Sequence, residues 1–324
     1  MPTITRLGLQ LPNFNYPDVP AEKLFGHLSE IAATAEASDF DSLWVMDHLH
    51  QIAGVGPETN WMLEGNTILG AFAARTERLA LGLMVGGVTY RNPALLAKIT
   101  TTLDIISGGR AILGIGAAWF EGEHLAYGFE FPPLKERFER LEDALNILRT
   151  MFTQEQATYE GTRHSVRGAY NYPRPIRGDI PIMIGGSGEK KTLRMVAQYG
   201  DACNIFGDVA QIRHLLGVLD DHCERLGRDP AEITKTRLGT VIIGTTAEEA
   251  GAKAEFLRRL TPNMPEERRR AMQIVGDPDT VAEKADALFE AGLDGLLVNL
   301  PDAHNLETVA LVGETLGRVV GARF

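Results

Sequence analysis

A chain of 324 residues, 44% hydrophobic and 23% charged, has an ordinary globular composition and enough length for one closed α/β barrel with loops. The net charge of −11 argues against nucleic acid and anionic membranes as partners, so any anionic ligand needs a local positive site. No apolar run reaches about 18 residues and no basic-then-apolar leader is present, so neither a membrane span nor a signal peptide is expected.

Two cysteines, Cys203 and Cys223, are too few for a disulfide framework, and a cytoplasmic location is expected. Strand-like and helix-like segments then alternate along the chain. Ile4–Leu11 predicts a strand and Ala21–Ser38 an amphipathic helix. Ser42–Met46 predicts a second strand and Leu63–Arg75 a helix. Leu79–Val85, Pro93–Ile106 and Ala111–Ile115 continue the pattern. In "FPPLKERFERLEDALNILRTMF", Phe138, Leu141, Leu145 and Leu148 share one helix face. Thr158–Pro175 is polar and punctuated by Gly and Pro, which marks a loop or hairpin inside an insertion spanning residues 153–178.

The alternation resumes at Ile182–Ile184, followed by a helix over Thr192–Tyr199 and a strand over Ala202–Phe206. Gln211–Leu226 is helical and Arg237–Ile243 a strand. Helices are expected across Glu248–Arg270 and Pro278–Ala291, then a strand at Gly295–Leu300 and a helix at Leu306–Val319. Eight strand–helix units with short, apolar strands favour a closed (β/α)8 TIM barrel over an open doubly wound sheet. Chemistry in such a barrel sits just beyond the C-terminal ends of the strands. That rule selects Gln10 and Asn13, Asp47 and His48, Val85 to Arg91, Gly116 to His124, Gly185 to Gly188, and Phe206 to Asp208.

Four of these stretches carry chemistry. "WVMDHLH" sets an imidazole beside a carboxylate, a pairing suited to proton transfer near neutral pH. The bland reading is a helix-start Asp with an incidental His. A metal held by His48 and His50 lacks a third ligand at useful spacing, so none is expected. "ILGIGAAWFEGEH" puts Trp119 where a dinucleotide fingerprint needs a small residue, which excludes that motif. Trp119 and Phe120 suit a flat aromatic ligand, Glu121 and His124 are polar candidates, and Glu123 reads as a solvated helix start. "LGLMVGGVTYRNP" ends a strand in Gly86 and Gly87, with Arg91 poised either to pair with an anion or to cap the next helix. "PIMIGGSGEKKTLRMV" runs a buried strand through glycines into a helix. Its open amides suit an anion, although a tight connection without ligand reads equally well.

Together these residues resemble the luciferase-like monooxygenase superfamily and, within it, the deazaflavin-dependent (coenzyme F420) oxidoreductases. The carrying stretches are "LGLQLPNF", "FDSLWVMDHLHQ", "VTYRNPALLAKITTTLDIISGGRAILGIGAAWFEGEH" and "PIMIGGSGEKKTLRMVAQYGDACN". The resemblance implies one bacterial luciferase-like barrel over residues 1–324, with a deazaflavin, or alternatively FMN, at its C-terminal mouth. It places Asp47 and His48 near the reactive face of the ring and a non-prolyl cis peptide near Leu83–Met84 behind it. Gly185, Gly186, Ser187 and Gly188, helped by Lys190, would hold the cofactor phosphate.

Two departures stand out. Gly86 occupies a position where a hydroxyl residue is expected, and the C-terminal third shows no motif for an oligoglutamate tail. The implied activity is hydride transfer between coenzyme F420 and a small organic substrate. His48 is the expected acid–base residue, oriented by Asp47, with Glu121 a further catalytic candidate. Gln10, Asn13 and Trp119 are expected to line the substrate pocket. The alternatives are an FMN-dependent monooxygenase and a non-catalytic flavin-binding barrel. A homodimer acting on a small molecule, with no nucleic-acid or membrane partner, is expected.

Overall fold

A computed structural model of the protein describes residues 4–262 and 264–324. Eight parallel strands close on themselves: Leu7–Leu11, Ser42–Val45, Ala80–Leu83, Ala111–Gly116, Ile182–Gly185, Ala202–Ile205, Thr234–Ile243 and Gly295–Asn299. Each pairs with the next in chain order, and the eighth returns to the first with Leu7 opposite Leu296. This is the expected (β/α)8 barrel, and all eight strands fall within three residues of their predicted ends.

Short apolar strands without alternation are buried on both sides, by the barrel interior and by the helices. Trp44, Ile112, Met183 and Leu297 fill that interior, with Met84 above them. Glycines give Trp44 its room. A Cβ at Gly8 would lie 2.6 Å from the indole nitrogen, and one at Gly82 would lie 2.6 Å from the ring carbons. At Gly114 a Cβ would run into the carbonyl oxygen of Leu83. Gly114→Ala should therefore cost about 1–3 kcal/mol, read as a lower urea midpoint at unchanged slope.

Capping chemistry sets several helix ends. Asn92 accepts from the amides of Ala94 and Leu95 ahead of Pro93, and Gly108 ends that helix in the left-handed conformation at φ 70°. Glu64 trims the predicted helix at Leu63–Arg75 to Gly65–Ala73 by accepting from Asn66 and Thr67. The helical stretch expected over Glu248–Arg270 divides into Ala247–Leu260 and Glu266–Met272, with Pro265 capping the second.

Three small pairings supplement the eight barrel strands, the last of them in the segment expected to form a loop or hairpin. Gly86–Gly87 pairs beside Ile115 and Gly116. Gln273–Gly276 pairs with the upper half of the ten-residue seventh strand, which outreaches its barrel neighbours. The insertion contains a hairpin of Ala157–Glu160 and Ser165–Ala169. Its tip is pinned by Asp143, which accepts from the amides of Thr162, Arg163 and His164. Among the described residues no helix is long and apolar enough to cross a membrane.

Candidate active site at the barrel mouth

Asp47 and His48 lie just beyond the second strand, and their side chains turn to different partners. They do not form a dyad. Asp47 is buried and takes a bidentate pair from Arg91, with Nη1 to Oδ2 at 2.7 Å and Nη2 to Oδ1 at 2.8 Å. The Gly87 amide adds a third bond at 3.0 Å. Arg91 Nη2 also reaches Glu64 Oε1 at 2.6 Å, so the guanidinium serves internal carboxylates while Asn92 does the capping. Burial pushes the Asp47 carboxyl up, against the pull of Arg91. Burial also works against the Glu64 charge, but bonds from Thr67 and Arg91 outweigh it and hold that carboxyl at about 2.

His48 is oriented by Glu123 instead, a correction to two expectations. Glu123 is fully buried rather than solvated. It accepts from His48 Nδ1 at 3.1 Å, the Leu49 amide at 2.6 Å, the His50 amide at 3.2 Å and the Tyr90 hydroxyl. A carboxylate only accepts, so Nδ1 carries the proton and Nε2 is the other ring nitrogen. Nε2 makes no hydrogen bond within the described residues and is not sealed off. Burial alone would raise the Glu123 carboxyl. Its donors, His48 and Tyr90 first, hold it down at about 2.

The sign of that shift gives a test. A carboxyl depressed in the fold adds stability that is full above its unfolded pKa, about 4.3, and is lost as pH falls toward 2. Glu123→Gln should flatten this part of the stability–pH curve, measured by urea unfolding between about pH 5 and 3.

Glu121, two positions earlier on the helix Glu121–Tyr127, is exposed and bonds to none of these groups. Two helical residues turn the side chain by about 200°, so only one of the two acids can face His48. His124 supports the cluster from behind. Its Nδ1 donates to the Phe120 carbonyl at 2.8 Å, its Nε2 accepts from the Thr89 hydroxyl at 2.6 Å, and its ring stacks 4.5 Å from Tyr90. Burial and the neighbouring Glu123 raise the Tyr90 phenol and keep it protonated. Trp119 is 60% exposed, stacks on Phe120 at 5.0 Å and meets the His48 ring edge-on at 5.5 Å.

The glycine turn follows the fifth strand. Gly186 sits at φ 125°, where a side chain is strained, and its amide donates to the Asn204 carbonyl at 2.9 Å. The Ser187 hydroxyl accepts from the Phe206 amide at 3.0 Å. A Cβ at Gly188 would lie 2.8 Å from Thr192 Oγ1. The helix Thr192–Tyr199 begins where predicted, and no side chain caps it. Lys190 is exposed beside that start, while Lys191 lies over the Phe138 ring at 5.1 Å. The cis peptide joins Met84 and Val85, one residue beyond the expected Leu83–Met84. Leu83 is in register with Val45 and the Met84 amide donates to the Val45 carbonyl, so pairing with the second strand runs up to this bond. Val85 then lies close to Gly185 and Gly116, so three strand ends converge there.

Residues 5–263 match the model of the luciferase-like monooxygenase family. The chain belongs to that family. It is 30% identical over 319 residues to an F420-dependent glucose-6-phosphate dehydrogenase of Microbacterium testaceum, covering 89% of this chain and 91% of the relative. A protein of the same name from Nakamurella multipartita is 29% identical over 317 residues, with the same coverage. Among solved structures, an F420-dependent secondary alcohol dehydrogenase with an F420–acetone adduct aligns at TM-score 0.81 and 18% identity, covering 98% of this chain and 99% of that one. A long-chain alkane monooxygenase aligns at TM-score 0.81 and 16% identity, covering 100% and 92%. At such identities these two bear on the fold alone.

In this luciferase-like protein, Gln10 is buried on the first strand and accepts from Asn299 Nδ2 at 3.3 Å. Asn13 spends both ends of its amide on the Asn15 backbone, as a local turn. No metal-binding cluster occurs among the described residues. Sequence reasoning missed Glu123 and Tyr90 as partners of His48. Glu123 and His124 both point inward, a helix phase that no local pattern in the sequence fixes.

Proposed function

We propose that this protein is an oxidoreductase that passes a hydride between coenzyme F420 and a small organic substrate, the whole chain acting as one barrel domain. The curated relatives named as F420-dependent dehydrogenases, similar along nearly their whole length, support the cofactor. The observation that carries the chemistry is His48, with Nδ1 anchored on a buried carboxylate and Nε2 bare beside Trp119.

The residues fit the cofactor. The uncapped helix start and the glycines around Ser187 leave space that suits a phosphate: Gly186 takes a backbone conformation a side chain would strain, and a Cβ at Gly188 would crowd Thr192. The deazaflavin, when bound, supplies the hydride chemistry. His48 Nε2 takes the proton of a substrate hydroxyl as its carbon is oxidised, or returns it in the reverse direction. Glu123 stabilises the imidazolium formed and fixes its tautomer. Tyr90 and the Leu49 and His50 amides hold Glu123 in place. Trp119 and Phe120 give the substrate a flat apolar wall.

Side-by-side titration tests the reading. F420 should bind at least tenfold tighter than FMN; equal or preferential FMN binding would move the protein to the FMN-dependent monooxygenases. Gly186→Val, which places a β-branched side chain at φ 125°, should weaken F420 binding tenfold or more, about 1.4 kcal/mol, with the fold retained. An unchanged titration curve in a folded variant removes the phosphate role of the turn.

A further inference from the structure

A cavity of about 520 Å3 lies between the seventh strand and the helices Ala247–Leu260, Glu266–Met272 and Pro278–Glu290. Leu238 packs with the barrel-interior residues, so its neighbour Arg237 faces outward into this cavity. Arg237 is only 3% exposed. Its Nε donates to the Gly207 carbonyl at 2.9 Å and its Nη2 to the Ala271 carbonyl at 2.6 Å. No carboxylate among the described residues pairs with it.

The rest of the lining adds to the imbalance. Arg258, Arg269 and Arg270 share one carboxylate, Glu266, at 3.3, 3.6 and 3.7 Å. Lys284 donates to the Val275 carbonyl at 2.8 Å and makes no ion pair among the described residues. The two remaining acids are engaged elsewhere. Asp208 caps the helix Val209–Leu226, and Glu255 pairs with Arg259 at 3.2 Å. Five cations thus line the cavity with three carboxylates, and of these only Glu266 makes ion pairs with them, in a chain of net charge −11. Burial pushes the Arg237 guanidinium down to about 10, outweighing the opposite pull of Asp208, which forms no ion pair with it.

We propose that this cavity binds an anionic small-molecule group of phosphate or clustered-carboxylate chemistry, held by Arg237, Arg258, Arg270 and Lys284. The volume suits a small organic anion. The site also abuts the glycine turn: Arg237 holds Gly207, and the preceding Phe206 amide is bonded to Ser187. An occupant would therefore steady the loop behind that turn.

The test uses inorganic phosphate and tricarballylate, which lack any ring, so its outcome is independent of the F420 reading. At constant ionic strength, millimolar probe should raise the melting temperature of the full chain by about 3 °C or more. The exposed pair of changes Arg270→Glu with Lys284→Glu should weaken binding at least tenfold while preserving the fold. A further arm compares coenzyme F420 with the same cofactor stripped of its oligoglutamate chain. Loss of affinity in the variant for the long form alone supports the site with the cofactor as the source of the anion. Equal behaviour of both forms, with the probe response retained in the wild type, supports it with a free anion as the source. The absence of a probe response in the wild type, or an identical response in the variant, overturns the proposal.

Discussion

His48→Asn should lower kcat by roughly 10²–10⁴-fold while leaving F420 affinity nearly intact, because it removes proton transfer and spares the glycine turn. Asn can still donate toward Glu123 but offers no basic nitrogen toward substrate. Added imidazole should restore part of the lost rate. Glu123→Gln should act through the same group, since an amide oxygen cannot replace a carboxylate that takes four donors. Its effect should therefore fall well short of additive with His48→Asn. If His48 is only a structural contact, the variant loses melting temperature and keeps wild-type turnover. That result would sink the catalytic assignment. Substrate must first be found by screening alcohols and carbonyl compounds for oxidation or reduction by the cofactor.

Arg91→Met should be the most destabilising single change at the mouth, at about 3–5 kcal/mol, because it leaves the buried Asp47 carboxylate without its guanidinium. The Gly87 amide alone cannot compensate. Burial already holds the Asp47 carboxyl above its unfolded value, and losing Arg91 removes the main opposing pull and raises it further. A group shifted in that direction costs nothing below its unfolded pKa, about 3.9, and costs progressively more as pH rises. The deficit of Arg91→Met relative to wild type should accordingly shrink as pH is lowered from 7 toward 4. Adding Asp47→Asn should recover much of the loss, and denaturant unfolding of the four proteins would measure it. A deficit independent of pH, with no rescue by Asp47→Asn, would show that Arg91 stabilises through packing alone.

The barrel was legible because its strands are buried on both faces and its helices on one, so periodicity and length suffice to separate them. The glycine turn was legible for a related reason: the residues that make it are consecutive. The partners of His48 were not. Asp47 is adjacent in sequence and faces away, whereas Glu123 lies far along the chain and faces in. Which acid of Glu121 and Glu123 points inward depends on the phase of a short helix. That phase follows a turn in which Ala118 adopts φ 59° and Arg137, from another helix, bonds its carbonyl. No local pattern contains that information. The cationic cavity is hidden in the same way, assembled from a strand and three helices that sequence places apart.

The closing pair of the barrel has a consequence for synthesis on the ribosome. Leu7–Leu11 finds its first partner, Ser42–Val45, early, but its second, Gly295–Asn299, emerges only after nearly the whole chain has been translated. At about 5–20 residues per second that delay is on the order of 15–60 s. Throughout it the nascent protein is a curved sheet with two unpaired margins, the first strand and whichever strand was made last. Such margins are templates for pairing with other chains. The vulnerable species for this protein is thus the growing chain, and a chaperone that shields the first strand would act before any mouth exists to bind a ligand.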